Sequence, residues 1–436
     1  MRVLIIATYF PPNAEIAAVR PYMFAKYLQK LGHEVEVLWR GVDGTARDAS
    51  NLFPTDAFVV HTYEEGTDSQ ETGAVSGKSR LWFLPYKVRK PLAAIYHRSI
   101  SVVTARRNQS QTEEIVNKLK AAIDKLSDRQ FDVVISTFGN IENVYAGRYA
   151  AKIFGCKWVM DFRDPVTGLA KNRRQWKEYR NIQDQAIRDA DLSITVSEDL
   201  ARNLSRGTGR QVYAVYNGYD ETEAVASNEM AEGISFCYTG AMYEGRRKLS
   251  PLLEVLSKMI SAGELKKEEL VFHYAGRNFE ELQHQVGKYG LQDCSRNHGF
   301  LSRKDVEQLQ RSSDFYVVLS WNNPNEVGVL TGKFYEGLRA EKPIIGVISG
   351  TKPNSELRHI IEKYSLGCCY EDADREKSQE KMQEYLRQQI RHKKERGCVK
   401  HQCSQEARTA FRYDTIVEKL EKMLLQLTDE SANAHG

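Results

Sequence analysis

Val3-Leu4-Ile5-Ile6-Ala7, followed at once by Thr8-Tyr9-Phe10-Pro11-Pro12, is the stretch on which the fold turns. Its apolar run has no alternation, which is the pattern of a parallel strand buried on both faces. It is too short for the apolar core of a signal peptide. Arg20 to Leu31 then reads as a helix, with apolar Tyr22, Phe24, Ala25, Tyr27 and Leu28 and basic Lys26 and Lys30. Gly32 is the expected C-terminal breaker, and Val35-Glu36-Val37-Leu38 is the next strand.

The same alternation continues outward from that start. Val133 to Ser136, Lys157 to Met160 and Leu192 to Val196 read as strands. Glu113 to Leu126 and Val144 to Phe154 read as helices between them. Tyr219 to Gly233 is polar and acidic, as expected of a linker. After it the pattern restarts, with strands at Ser235 to Thr239, Leu270 to Tyr274, Phe315 to Leu319 and Pro343 to Val347. Helices are expected at Ser250 to Ser261 and near Glu280 to Tyr289, and one long helix over Gln405 to Leu427. The expected architecture is α/β: two Rossmann-like, doubly wound parallel-sheet domains facing each other across a cleft. The expected division is 1–220, 221–404, and a C-terminal helix at 405–436 returning to the first domain.

Composition bounds the function. The chain has 436 residues, 41% hydrophobic and 28% charged, which excludes collagenous and largely disordered classes. No apolar run approaches the ~20 residues of a membrane-spanning helix. Seven scattered cysteines imply a reducing compartment. The net charge of +4 is too balanced to imply nucleic acid. Locally, no acidic residue lies between Glu71 and Glu113, while Lys78, Arg80, Lys87, Arg89, Lys90, Arg98, Arg106 and Arg107 do, interleaved with Trp82, Phe83, Tyr86 and Tyr96. Basic and aromatic residues on one segment suit an anionic membrane surface; a solvated basic face is the alternative.

Ligands of such sheets bind beyond the carboxyl ends of strands. Four loops there carry chemistry. Asn13, Glu15 and Arg20 follow the first strand, where a helix N-terminus offers free N–H groups to an anion. No G-x-G-x-x-G stands at that turn, which argues against a dinucleotide site. Asp161-Phe162-Arg163-Asp164-Pro165 presents two carboxylates around an arginine. They either hold or deprotonate a hydroxyl, or form a structural pair that fixes the turn. Gly240 is followed by Arg246, Arg247 and Lys248, an arrangement suited to a diphosphate or simply an exposed basic loop. Thr331-Gly332-Lys333 opens a helix with Glu336 one turn on, so N–H groups and an ammonium meet phosphate while the carboxylate takes a ribose diol. It is not a P-loop, because the preceding glycine spacing is absent. His392, Cys398, His401 and Cys403 match no common zinc spacing, and no metal site is expected.

Taken in order, these segments resemble the GT-B glycosyltransferases of family 4, the retaining "group 1" transferases, and most closely those that build bacterial surface polysaccharides on a lipid carrier. Leu31-Gly32-His33-Glu34-Val35, Asp161 to Pro165, Thr195-Val196-Ser197-Glu198, Tyr216-Asn217-Gly218-Tyr219-Asp220 and Gly332 to Pro343 carry the likeness. The resemblance implies a nucleotide-sugar donor, with UDP the family habit, bound by Gly240, Arg246, Arg247, Lys248, Gly276, Arg277, Thr331, Gly332, Lys333 and Glu336. Glu336 matches the last Glu of the family's E-x7-E motif. It implies Asp161, Arg163 and Asp164 at the reacting sugar, and Asn13, Glu15 and Arg20 on the side of a lipid-linked or saccharide acceptor. It implies transfer with retained configuration, no metal or other cofactor, and a cytoplasmic protein peripheral on the inner membrane face through residues 78–107.

Three departures stand out. The first Glu of E-x7-E falls at Gly328, with Glu326 two residues early. The arginine often found after the C-domain glycine is Ala241. The double glycine of the first loop is Ala17-Ala18. Rival readings are a sugar-nucleotide epimerase of the same architecture and an inactive binding subunit of a polysaccharide assembly, the latter motivated by Gly328. An NAD-dependent oxidoreductase lacks its glycine fingerprint.

Overall fold

A computed structural model describes residues 1–13, 15–41, 53–55, 57–63, 110–220, 233–242, 247–401 and 405–434. The basic-aromatic segment at 78–107, most of the linker, Arg246 and Cys403 lie outside the described residues. By contacts the chain divides into two compact units, Met1–Ile194 with Glu421–Gly436, and Thr195–Leu420.

The first sheet contains β1 (Arg2–Ala7), β2 (Glu34–Trp39), β3 (Val59–Thr62), β4 (Val133–Thr137), β5 (Lys157–Phe162), β6 (Leu192–Thr195) and β7 (Tyr213–Ala214). Among the described residues its order is β3-β2-β1-β4-β5-β6-β7. β1 lies parallel to β2 on one side and to β4 on the other, Ile5 facing both Val37 and Ile135. Val3 to Ile6 are fully buried, which explains why the opening run shows no alternation. The helices of the first unit are α1 (Val19–Lys30), α2 (residues 110–124), α3 (Glu142–Phe154) and α4 (Arg173–Asp189). Gly155 caps α3 in the left-handed conformation.

The second sheet contains β8 (Ile234–Thr239), β9 (Leu270–Ala275), β10 (Ser295–Asn297), β11 (Phe315–Trp321), β12 (Ile344–Ser349) and β13 (Gly367–Glu371). Among the described residues its order is β10-β9-β8-β11-β12-β13, and every neighbouring pair is parallel. Chain order therefore reverses between β8 and β11, the point at which doubly wound sheets hold ligands. Alternate residues feed two core layers. Phe236, Tyr238, Phe315 and Val317 enter one. Cys237, Tyr316 and Val318 enter the other. Phe236 stacks on Phe272 and Phe315 at 5.1 and 5.0 Å between ring centres. The short helix α5 (Glu198–Arg206) packs on β7, and both faces of the second sheet are covered by α6 (Ser250–Ser261), α7 (Phe279–Gly287), α8 (Arg303–Ser312), α9 (Gly332–Ala340), α10 (Glu356–Lys363) and α11 (Arg375–Arg396).

The expected single helix over 405–427 is two, α12 (Gln405–Ala410) and α13 (Tyr413–Ala434). The break has a cause. Tyr219 N–H donates to Phe411 O at 3.0 Å, and Tyr413 N–H donates to Tyr219 O at 3.1 Å, so the backbone there pairs with a bridge instead of the helix. Phe411 fills the space beneath, edge-on to Tyr216, Phe334 and Tyr364. Glu356 holds residues 198–216 to the same unit. Its carboxylate accepts from the N–H groups of Glu198 and Asp199 and from the Tyr216 hydroxyl.

In the first unit, His33 Nε2 lies 2.7 Å from Glu421 Oε1, which ties the middle of α13 to the turn after α1. No described helix is long and apolar enough to cross a membrane.

Candidate functional site

In the second unit, the ends of β8 and β9 and the start of α9 come together at the switch point. Gly240, just past β8, has φ +117°, and a Cβ there would fall 2.9 Å from Lys333 Cε. Only glycine takes that backbone at no cost. Gly276, just past β9, is closer still: its Cβ would meet Gly240 O at 2.4 Å. The hydroxyl of Tyr274 donates to Gly240 O at 2.9 Å and accepts from the N–H of Asn278 at 2.9 Å. The two glycine turns are therefore fixed against each other by one tyrosine.

α9 begins beside them. Thr331 stands at its N-cap without a side-chain cap, and the Thr331 hydroxyl is buried with no partner among the described residues. The first-turn N–H groups of a helix carry partial positive charge and suit an anion. Lys333 Nζ contacts both oxygens of Glu336, at 2.7 and 2.9 Å. Glu336 Oε2 also accepts from Gln310 Nε2 at 2.9 Å, Tyr316 OH at 3.0 Å and Thr239 Oγ1 at 3.2 Å. Burial pushes the Glu336 carboxyl up, but Lys333 and these donors outweigh it and hold the group below its usual range. Buried Tyr316 is pushed well above the usual phenol range by burial and by Glu336.

Arg247 is engaged by the loop it follows. Its NH1 donates to Tyr238 OH at 2.9 Å and to Ala241 O at 2.8 Å. Burial raises the Tyr238 phenol to about 12 against the lowering effect of Arg247. Lys248 is exposed. Arg277 is exposed too, its guanidinium 5.2 Å over the ring of Phe300. Arg246 lies outside the described residues. Of the donor-side residues read from sequence, Gly240, Gly276, Thr331, Gly332, Lys333 and Glu336 thus gather at one place, with Arg247 bracing its edge. Sequence reasoning missed Tyr274, Tyr316, Gln310 and Thr239; buried strand tyrosines look like core until the register puts their hydroxyls beside a carboxylate.

Gly328 has φ +69°, and a Cβ there would fall 2.2 Å from Ser197 Oγ and 2.9 Å from the Leu200 nitrogen. The loop lies flat on the N-terminus of α5, so no side chain fits at the position of the first Glu of the E-x7-E spacing. Glu326 is exposed in a turn closed by paired hydrogen bonds with Asn323.

In the first unit, Asp161 ends β5 and is fully buried. Both its oxygens accept from Arg20, Nε and NH2 each at 2.9 Å, and Arg20 is itself 2% exposed. The guanidinium also lies 4.5 Å over the Phe24 ring. A carboxylate so held has no oxygen facing solvent for proton transfer, and the two residues read as separate site groups are one buried pair. Arg163 Nε bonds the exposed neighbour Asp164 at 3.0 Å. Asn13 Oδ1 accepts from the N–H of Glu15 at 2.8 Å, closing the first loop. Near them, buried Asn143 donates to Thr8 Oγ1 and Thr137 O. Among the described residues no group of three potential metal ligands forms.

Residues 17–223 match the family model described as Glycosyltransferase Family 4. Nothing among the curated proteins matches the sequence. Among solved structures, similarity extends over whole chains. A sucrose-phosphate synthase from Thermosynechococcus elongatus is 11% identical with a TM-score of 0.62, over 99% of this chain and 100% of that one. The lipopolysaccharide outer core galactosyltransferase WaaB, in its apo form, is 13% identical with a TM-score of 0.61, over 98% and 99%. Anabaena HepE in complex with UDP and glucose is 13% identical with a TM-score of 0.54, over 100% and 99%. At such identities the likeness speaks to the fold.

Proposed function

We propose that the chain is a glycosyltransferase of the family 4 type on a GT-B fold, and that it moves a sugar, with retained configuration, from a UDP-sugar to a lipid-linked or saccharide acceptor in surface-polysaccharide synthesis. The observation that carries the donor side is the Lys333–Glu336 pair at the first turn of α9, beside the two glycine turns. HepE, a fold neighbour, was crystallised with UDP and glucose, which favours UDP.

In this reading Glu336 takes the ribose diol and Lys333 turns from it onto the diphosphate. As the sugar–phosphate bond breaks, negative charge grows on the leaving diphosphate and positive charge on the sugar. The α9 N–H groups, Lys333 and Lys248 are preorganised for that phosphate charge, an effect that lowers the barrier without a metal ion. Arg247 keeps the loop after β8 in shape. Asn13, Glu15, Arg163 and Asp164 are the acceptor-side groups, with Arg20 and Asp161 as their buried support. The segment at 78–107 supplies contact with the anionic inner face of the membrane; Lys87, Arg89 and Lys90 replaced by Ser then lose liposome sedimentation, most at low salt.

The test is a thermal-shift panel of nucleotide sugars and nucleoside diphosphates, with magnesium and with EDTA. A ligand at 100 times its dissociation constant adds about 2.7 kcal/mol. A shift with uridine diphosphates that survives EDTA is expected; a well-folded sample that responds to none refutes the donor reading. Gly328 supports a second reading, a subunit that binds donor without turnover. Under it, UDP-sugars shift the melt but are never hydrolysed or transferred, and Glu336→Ala leaves cellular polysaccharide unchanged.

A further inference from the structure

Just past Arg163 and Asp164 the chain makes a short 3₁₀ turn, Val166–Leu169, and then enters α4. The turn is tied down. Val166 N–H donates to buried Gln183 Oε1 at 2.9 Å, Lys171 N–H donates to Gln175 Oε1 at 3.0 Å, and Asn172 Oδ1 accepts from the Gln175 N–H at 2.9 Å. Turn and helix therefore form one fixed shoulder on the first unit.

The side chains that the shoulder leaves in solvent are of two kinds. Leu169 and Trp176 are 41% and 45% exposed. With them Lys171, Arg173, Arg174 and Lys177 are exposed, and none of the four has an ion-pair partner among the described residues. Glu178 is the one carboxylate between Asp164 and Asp184. Arg180, further along, is already paired with Asp184 at 2.8 Å.

Neither kind serves the helix. Cations in a first turn oppose the helix dipole, and α4 has no acidic residue there to offset them. An indole left in water forgoes the burial that a Trp ordinarily gains. Trp and Leu among unpaired cations are the composition of an interfacial surface. The apolar groups enter the boundary between headgroups and acyl chains, and the cations meet anionic headgroups. A soluble polyanion would use the cations and leave Leu169 without a role.

We propose that this shoulder docks on a membrane that carries anionic lipid. It is a second surface, separate from the segment at 78–107. The proposal rests on the lipid-linked acceptor reading for its purpose and on the shoulder's own residues for its chemistry. It goes beyond that reading in bringing the lipid surface to the chain directly after Arg163 and Asp164, the acceptor-side groups at the end of β5.

The experiment uses the full chain, a triple variant (Arg173→Ser, Arg174→Ser and Lys177→Ser) and Trp176→Phe, each checked by thermal melt. Sedimentation is run with vesicles of phosphatidylcholine alone and with added phosphatidylglycerol. Quenching of tryptophan fluorescence by lipid brominated in its chains is read in parallel. Wild type is expected to partition onto the anionic vesicles, and the triple variant to lose at least about tenfold of that partition, most at low salt. Brominated lipid is expected to quench the wild type, and Trp176→Phe to lose that quenching. A wild type that ignores anionic vesicles, or variants that partition and quench as it does, overturns the shoulder. Binding of inorganic polyphosphate with no quenching by brominated lipid assigns the cations to a soluble polyanion and overturns membrane docking. Partition lost on replacing Lys87, Arg89 and Lys90 by Ser but untouched by the α4 variants overturns the shoulder and leaves the proposed function standing. A protein that responds to no uridine diphosphate yet docks through α4 refutes the donor reading and leaves the shoulder standing.

Discussion

Lys333 lays its ammonium across both oxygens of Glu336, at 2.7 and 2.9 Å, one turn apart on α9. Oε2 is further committed to Gln310, Tyr316 and Thr239, whereas among the described residues Oε1 is held by Lys333 alone. Under the proposed donor reading, a ribose arriving at this carboxylate would meet it on Oε1 and displace a lysine that a diphosphate would draw the same way. Donor binding would then be an exchange of partners, in which the cost of unpairing Lys333 is offset by the phosphate it turns to.

Glu336→Ala is expected to weaken UDP binding by roughly ten- to a hundredfold, the range for removing a charge-assisted hydrogen bond of about 1.5–3 kcal/mol. Lys333→Ala is expected to weaken UDP while leaving uridine nearly unchanged. Calorimetry with both ligands separates the two; equal losses for uridine and UDP in Lys333→Ala would remove Lys333 from the diphosphate.

Gly328→Glu, which would restore the spacing of the family motif, is expected to destabilise the second unit and not to gain activity. The strained backbone alone costs about 1–3 kcal/mol, and the side chain must displace Ser197. Even Gly328→Ala should lower the melting temperature. A Gly328→Glu protein that melts like the wild type would show that the loop moves freely off α5.

Arg20→Ala is expected to cost about 3–5 kcal/mol by leaving Asp161 buried and unpaired, while Arg20→Met with Asp161→Leu recovers much of it. Denaturant melts of the two singles and the double give the coupling. Asp161→Asn that keeps full stability yet loses turnover would instead mark a proton-handling role.

His273 lies 3.0 Å from His298, and burial, then His298 and Arg296, lower its pKa to about 4. The unfolded chain binds this proton near pH 6.5 and the folded chain only near 4, so stability falls as pH drops through that window. His273→Gln should flatten the decline between pH 6.5 and 4. Parallel melting curves for the two proteins across that range would refute the assignment.

The strands were legible where burial on both faces writes a continuous apolar run, as in Val3 to Ala7 and Phe315 to Leu319. The start of α9 was legible because Thr331-Gly332-Lys333 is unlike a core. Asp161 and Arg20 were misleading for the opposite reason. They lie 141 positions apart, and a buried pair at that separation leaves no local sign that each residue is already spoken for. The break at Phe411 was hidden likewise, since the helical period runs on through it and only the distant Tyr219 interrupts it. The 326–328 loop was half legible: the missing carboxylate shows in the sequence, but the hydroxyl of Ser197 that excludes it does not.

The tie between His33 and Glu421 sets an order of assembly. The second unit is an insertion within the first, and every residue from Thr195 to Leu420 leaves the ribosome before the last segment of the first unit does. The inserted unit has all its strands and core in hand while its host still waits for α13. Synthesis should therefore pass through a stage with a finished domain carried on an unfinished one, exposing the surface around the α1 turn that α13 later covers. Stalling translation just before Glu421 would trap that stage, protease-resistant after Thr195 and sensitive before it.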